Sequence, residues 1–183
     1  MGRKLNIFFY SMDGVGHINA CLGLAQELAK RGHDITFLTS KSFEGHFKKW
    51  NFKEILLIKK KKEDTNLEEK KEDEDGEKKE DPVKRFGTLL LSSGILSNKT
   101  ALEKNIVMSK MAENTWTESL DEVGQYDVQI KNAIEELKPD VVILEHFLLA
   151  PSVIKSGIPW VMLFSANPVV LYNSDDLPPF KSG

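Results

Sequence analysis

Residues 5–39 read LNIFFYSMDGVGHINACLGLAQELAKRGHDITFLT, and the fold is decided there. Leu5 to Tyr10 is a short run rich in aromatic and β-branched residues, and it stops where Ser11, Met12, Asp13 and Gly14 gather turn-forming side chains. Such a run between turn signals is a buried strand. From Ile18 the apolar residues fall at Cys21, Leu22, Ala25, Leu28 and Ala29, a spacing of three and four that lines one face of a helix. Gly32 stands where a helix takes a left-handed terminator, after Lys30 and Arg31, whose charges favour the negative end of the helix dipole. Ile35 to Thr39 is a second strand. Two strands joined through a helix run parallel, with a right-handed crossover.

The same alternation continues outward from this unit. Ser42 to Trp50 reads as a short helix and Ile55 to Ile58 as a third strand. Thr100 with Glu103 has the form of a capping box, so a long helix is expected to start there and to run through Asp127–Leu137 as far as Pro139. Val141 to Leu144 is a continuous apolar strand of the fully buried kind. Ala150 to Ser156 reads as a short helix, and Gly157-Ile158-Pro159 turns the chain into a fifth strand, Trp160 to Phe164. The expected class is α/β, a doubly wound, mostly parallel, Rossmann-like sheet forming one domain over residues 1–183. Residues 59–85 interrupt the order with Lys, Glu and Asp and almost no apolar content. A segment of that composition buries too little to offset its ordering entropy, so a disordered surface insertion is expected.

Composition narrows the possibilities further. Of 183 residues, 40% are hydrophobic and 29% charged, with a formal net charge of −3. That balance fits a globular chain and disfavours nucleic acid as a partner. The single cysteine, Cys21, lies in the apolar helical pattern and reads as a buried thiol. The amino-terminal apolar run is too short for a signal peptide, and no stretch approaches the length of a membrane span. A cytoplasmic chain without a membrane anchor is expected.

In an open parallel sheet, ligands collect beyond the carboxyl ends of the strands. The residues there are Ser11 to His17, Ser40, Glu145 to Phe147, and Ser165 to Pro168. Gly14-Val15-Gly16 has the start of a dinucleotide fingerprint, but Asn19 stands at the third glycine. The second strand also ends in Thr39-Ser40, without the acidic residue that would bind a ribose, so a nicotinamide or flavin cofactor is not expected. No P-loop and no metal-ligand spacing occurs. His17 opens the first helix, where the dipole and lost hydration favour a neutral imidazole able to accept a proton near pH 7. The same place also suits a histidine that merely caps backbone donors. His33 lies in the turn after the helix, His46 reads as an exposed helical residue, and His146 is a second candidate site residue.

Gly16-His17-Ile18-Asn19-Ala20, then Leu22, Leu24, Ala25 and Leu28, then Arg31-Gly32-His33-Asp34-Ile35-Thr36-Phe37 resemble the opening signature of the UDP-glycosyltransferases. Ala20 replaces the usual proline. Pro139-Asp140 through Glu145-His146-Phe147, Gly157-Ile158-Pro159-Trp160, Ser165-Ala166-Asn167-Pro168 and Leu177-Pro178-Pro179 extend the likeness. The resemblance implies the acceptor-binding, N-terminal half of a two-domain GT-B enzyme that moves a hexose from a UDP-sugar to a hydroxyl of a lipophilic small molecule. It implies His17 as general base and Glu145, where the family has aspartate, as the carboxylate that orients and charge-balances it. Met12, Gly16, Phe147 and Leu148 fall where acceptor contacts would be, although core or interface lining would also explain Met12, Phe147 and Leu148; Ser165 falls where a donor-sugar contact would be, although a satisfied loop hydroxyl explains it more simply. UDP-sugar would be a co-substrate, held mainly by a second domain whose signature does not occur in this chain, so the chain alone is expected to be inactive. The alternative reading is a non-catalytic relic domain that binds small molecules.

Overall fold

The computed structural model describes residues 2–59 and 82–165. Its centre is a parallel sheet of five strands in the order β3-β2-β1-β4-β5. The strands are β1 (Asn6–Ser11), β2 (Asp34–Ser40), β3 (Lys53–Leu57), β4 (Val141–Glu145) and β5 (Trp160–Met162). The helices are α1 (Val15–Lys30), α2 (Pro82–Ser93), α3 (Ala101–Leu137) and α4 (Pro151–Lys155). The expected α/β class with a doubly wound parallel sheet is what the chain adopts.

Side chains alternate across a strand, so a sheet covered on both faces needs apolar residues at every position. In β1, Ile7 and Phe9 join Ile18, Cys21, Leu22 and Ala25 of α1, while Phe8 and Tyr10 join Tyr126, Ile130 and Ile134 of α3. The same parity holds in β4: Val142 and Leu144 face α3 and α4, and Ile143 faces α1. The α1 face also holds stacked rings, with Phe37 3.8 Å from Phe47 and 5.1 Å from Phe9 between ring centres.

Local signals set most element ends as the sequence predicts. Gly32 has φ +91°, a region open to glycine at little cost. At the start of α3, Thr100 and Glu103 make both bonds of the capping box. That helix is 37 residues long, and only its carboxyl half packs on the sheet: Val123, Tyr126, Ile130 and Ile134 are buried, whereas Leu102, Ile106, Trp116 and Leu120 are exposed.

Some expectations change. The helix predicted over 42–50 is instead a pair of 3-10 turns, Lys41–Phe43 and Lys48–Trp50. Gly45 at φ +80° interrupts any continuous helix, and the Glu54 carboxylate takes the Gly45 and Phe47 amides at 2.7 and 2.8 Å. His46 is therefore a half-buried ring packed on Phe43, Phe47 and Trp50, not an exposed helical residue. The fifth strand stops at Met162, short of Phe164. Helix α2 has no counterpart in the sequence reading; Pro82 opens it, a position where a missing N–H costs nothing. Of the charged stretch 59–85, residues 60–81 lie outside the described residues, so the expected disorder there does too. At its edges Lys59 pairs with Glu122 of α3 at 2.7 Å, and residues 82–85 belong to α2. The motif residues 166–168 and 177–179 likewise lie outside the described residues.

Candidate active site

Strand parity and register together build the site. Ser11 of β1 pairs in register with Glu145, the last residue of β4. Glu145 follows Ile143 by two, so its side chain rises on the α1 face, where His17 sits in the first turn of α1. His17 Nδ1 lies 2.8 Å from Glu145 Oε1. His17 keeps 24% of its side chain exposed while Glu145 keeps 4%. A histidine that merely capped α1 would bond backbone donors, and α1 has no side-chain cap bond. Glu145 is no exposed loop carboxylate either.

Ser165, just beyond β5, joins this pair. Its hydroxyl donates to Glu145 Oε1 at 2.6 Å and stands 3.2 Å from His17 Nδ1, and its amide reaches the same Oε1 at 3.4 Å. Burial pushes the Glu145 carboxyl up, but hydrogen bonds from His17 and Ser165, together with the nearby imidazole, outweigh it and hold the carboxyl below its ordinary value. An ionised Glu145 accepts a proton-bearing Nδ1, which makes Nε2 the acceptor nitrogen of a neutral ring. Nε2 makes no hydrogen bond among the described residues.

Gly14 fixes the imidazole from below. A Cβ built at residue 14 would come 2.9 Å from His17 Cδ2, too close for any real contact. The sequence reading took Gly14 as a turn residue and as half of a weak nucleotide fingerprint; its spacing of three before a helix-start histidine was the available signal.

Met12, His17, Glu145, His146, Phe147 and Phe164 line a shallow hollow at the strand ends. Small-molecule sites usually hold roughly 300–1,000 Å³, whereas this hollow is closed by its own side chains and has no room even for a water molecule. Phe147 does most of the closing: its ring meets His17, Trp116 and Phe164 edge-on, at centroid distances of 6.1, 5.6 and 5.9 Å. It is 39% exposed. Trp116, on the amino-terminal, more exposed half of α3, lies 31 residues or more from every other ring of this group and carried no local signal in the sequence.

Two of the sequence-derived acceptor residues are placed differently from Met12 and Phe147. Leu148 does not line the hollow; its amide donates to His146 Nδ1 at 2.9 Å. Gly16 lies beside His17 in α1 but not on the hollow, and a Cβ there would meet nothing within 4 Å. His146 also borders the hollow, but its ring stacks on Tyr10 of the α3 face at 5.4 Å, and burial holds its pKa below the usual histidine value. His33 Nδ1 accepts the Leu5 amide, a structural bond. Burial pushes the Cys21 thiol up to about 12, so it is an inert core group. Among the described residues there is no cluster of His, Cys, Asp or Glu suited to a metal ion, and no helix long and apolar enough to cross a membrane.

No protein-family model matches the chain, and no curated protein sequence matches it. Solved structures similar to it are glycosyltransferases. The glycotransferase of kitacinnamycin is 18% identical over 90% of this chain and 31% of that one, with a TM-score of 0.49. The glycosyltransferase SnogD from Streptomyces nogalater is 11% identical over 89% of this chain and 35% of its own, with a TM-score of 0.49. The calicheamicin glycosyltransferase CalG4 is 23% identical over 78% and 27%, with a TM-score of 0.40. The chain spans about a third of the length of these enzymes.

Proposed function

We propose that this chain is the acceptor-binding part of a sugar transferase in which His17 is the general base and Glu145 its orienting carboxylate. One observation carries the reading: the 2.8 Å contact between His17 Nδ1 and Glu145 Oε1 at the strand ends, with Nε2 left unbonded on the side of the hollow. The likeness of residues 16–37 and 139–160 to the UDP-glycosyltransferase signature supports the same roles.

In this reading Nε2 takes the proton of an acceptor hydroxyl as its oxygen attacks the anomeric carbon of a UDP-sugar. The bond from that carbon to the diphosphate oxygen breaks, and UDP leaves with the electron pair. Glu145 holds the imidazole in the required tautomer and balances the imidazolium that forms. Attack from the face opposite the leaving group inverts the anomeric centre. The acceptor is a lipophilic small molecule, because Met12, Phe147 and Phe164 give the hollow apolar walls. It enters by displacing Phe147, whose contacts are edge-on. Donors for the diphosphate come from a second domain or chain, and UDP-sugar is the only co-substrate required. With no such partner this chain binds acceptors without transferring sugar.

The test uses the chain joined to, or mixed with, a donor-binding domain. His17→Ala is expected to cut transfer by about 10²–10⁴-fold, the usual worth of a general base, in a chain that still folds but melts earlier because the buried Glu145 loses a hydrogen-bond partner. Undiminished turnover would remove the base assignment. Acceptor binding by the unaltered chain with no transfer under any supplied donor domain would favour the non-catalytic reading instead.

A further inference from the structure

We infer that Ser165 is a positioning residue for Glu145, and that its hydroxyl is committed to that carboxylate instead of to a donor sugar. The geometry is one-sided. His17 Nδ1, the Ser165 hydroxyl and the Ser165 amide all converge on Oε1, whereas Oε2 is buried and has no hydrogen-bond partner among the described residues. A buried carboxylate with one empty oxygen is under-stabilised unless the other oxygen is well served. Ser165 serves it with both its side chain and its main chain.

The length of the side chain makes this necessary. Glutamate has one more rotatable bond than aspartate, so more freedom must be removed to keep Oε1 on the imidazole. The Ser165 contacts at 2.6 and 3.4 Å tie down Oε1 beside the imidazole, the hydroxyl standing 3.2 Å from Nδ1, and hold it 2.8 Å from that nitrogen. They also bind the segment after β5 to the end of β4 and the start of α1, so that three strand ends share one oxygen. In its catalytic meaning the inference rests on the reading of His17 as a base; in its structural meaning it does not.

The experiment therefore has two arms. In the first, the 183-residue chain is compared with Ser165→Ala and Ser165→Thr by carboxyl and imidazole NMR across pH. Ser165 is exposed, so Ser165→Ala should fold, and its melting curve checks this. The Glu145 titration is expected to move up by about one pH unit in Ser165→Ala, because a hydrogen bond to the charged form is lost. The Nε2–H tautomer of His17 should grow from a trace to a readily measured share. Ser165→Thr, which keeps the hydroxyl, should match the unaltered chain on both counts. An unmoved Glu145 titration in Ser165→Ala would overturn the inference, and so would a Thr variant that behaves like Ala. In the second arm, transfer is measured with a donor-binding domain present. Ser165→Ala is expected to lower kcat about tenfold and leave the KM for UDP-sugar unchanged, whereas a donor-contact residue would raise that KM. NMR shifts as expected from a chain that never transfers sugar would keep the positioning role and remove the transferase reading.

Discussion

Glu145 and His146 are neighbours in sequence with opposite fates. Glu145 turns to the α1 face, where it is bonded to His17 and Ser165 at the edge of a hollow. His146 turns to the α3 face, stacks on Tyr10, and is 95% removed from solvent. The α1 face thus ends in a hydrogen-bonded network of an imidazole, a carboxylate and a hydroxyl. The α3 face ends in polar groups packed among aromatic rings, with a Tyr10 hydroxyl that has no partner among the described residues. The difference teaches that strand parity, not residue type, selects which titratable group reaches a ligand.

The sharpest way to break the contrast is Glu145→Gln. Transfer should fall about 10²-fold or more, since a neutral amide neither fixes the tautomer nor balances an imidazolium. The same change alters acid stability. Because the folded carboxyl lies below its ordinary value, its contribution is present above about pH 4.3, the unfolded value, and is lost as pH falls through the folded pKa. Melting curves between pH 5 and 2, conditions set by that value, should be flatter for Glu145→Gln. Equal slopes would mean that the pair contributes nothing to folding.

Gly14→Ala attacks the α1 face without touching a titratable group. The new Cβ needs the space 2.9 Å from His17 Cδ2, so the ring must shift. A displacement near 1 Å costs on the order of a hundredfold in transfer. Loss of the His17–Glu145 NMR coupling should accompany the loss of rate, and a fully active Gly14→Ala chain would show that the ring has other room.

On the opposite face, His146→Asn is expected to leave transfer within about twofold and to change only the pH dependence of stability. A histidine whose folded pKa is depressed by burial contributes most above about pH 6.5, and its contribution falls as pH drops from there toward the folded value. Asn keeps an acceptor for the Leu148 amide but cannot charge. Thermal melts from pH 7.5 to 5 should therefore slope for the unaltered chain and flatten for the variant; an unchanged slope assigns the titration elsewhere.

The smallest effect belongs to Tyr10→Phe. Removing a buried hydroxyl that has no partner among the described residues should leave stability within about 1 kcal/mol or raise it slightly, because no hydrogen bond to them is lost. A loss of about 2 kcal/mol or more in chemical denaturation would show that the hydroxyl has a bound water or other acceptor.

Much of the scaffold was legible residue by residue. The apolar run at 6–11, the three-and-four spacing of α1, Gly32 and the Thr100–Glu103 box each act through neighbours within a turn or a strand, so their consequences appear in the sequence itself. His17 and Glu145 were reached through motif resemblance, and the fold brings them within 2.8 Å of each other. The turns at 41–50 were misread as helix because Glu54, the acceptor that satisfies their amides, lies in the next strand. The bond from the Leu148 amide to His146 was not legible, since the apolar run alone did not say which way the loop after β4 folds back. Helix α2 was missed because a charged stretch precedes it and few of its residues pack on the sheet.

By itself, then, the sequence determined the alternation of strands and helices, the ends of most of them, and the residue types available at the carboxyl edge of the sheet. Only the tertiary structure decided that β4 lies beside β1 with Ser11 opposite Glu145, that Ser165 closes on the same oxygen as His17, and that Trp116 from a distant helix leans on Phe147. The reason is physical. Periodicity and capping are local, whereas the His17–Glu145 contact joins residues 128 apart, and its geometry exists only once the register of two strands from opposite ends of the chain is fixed by burying both faces of the sheet.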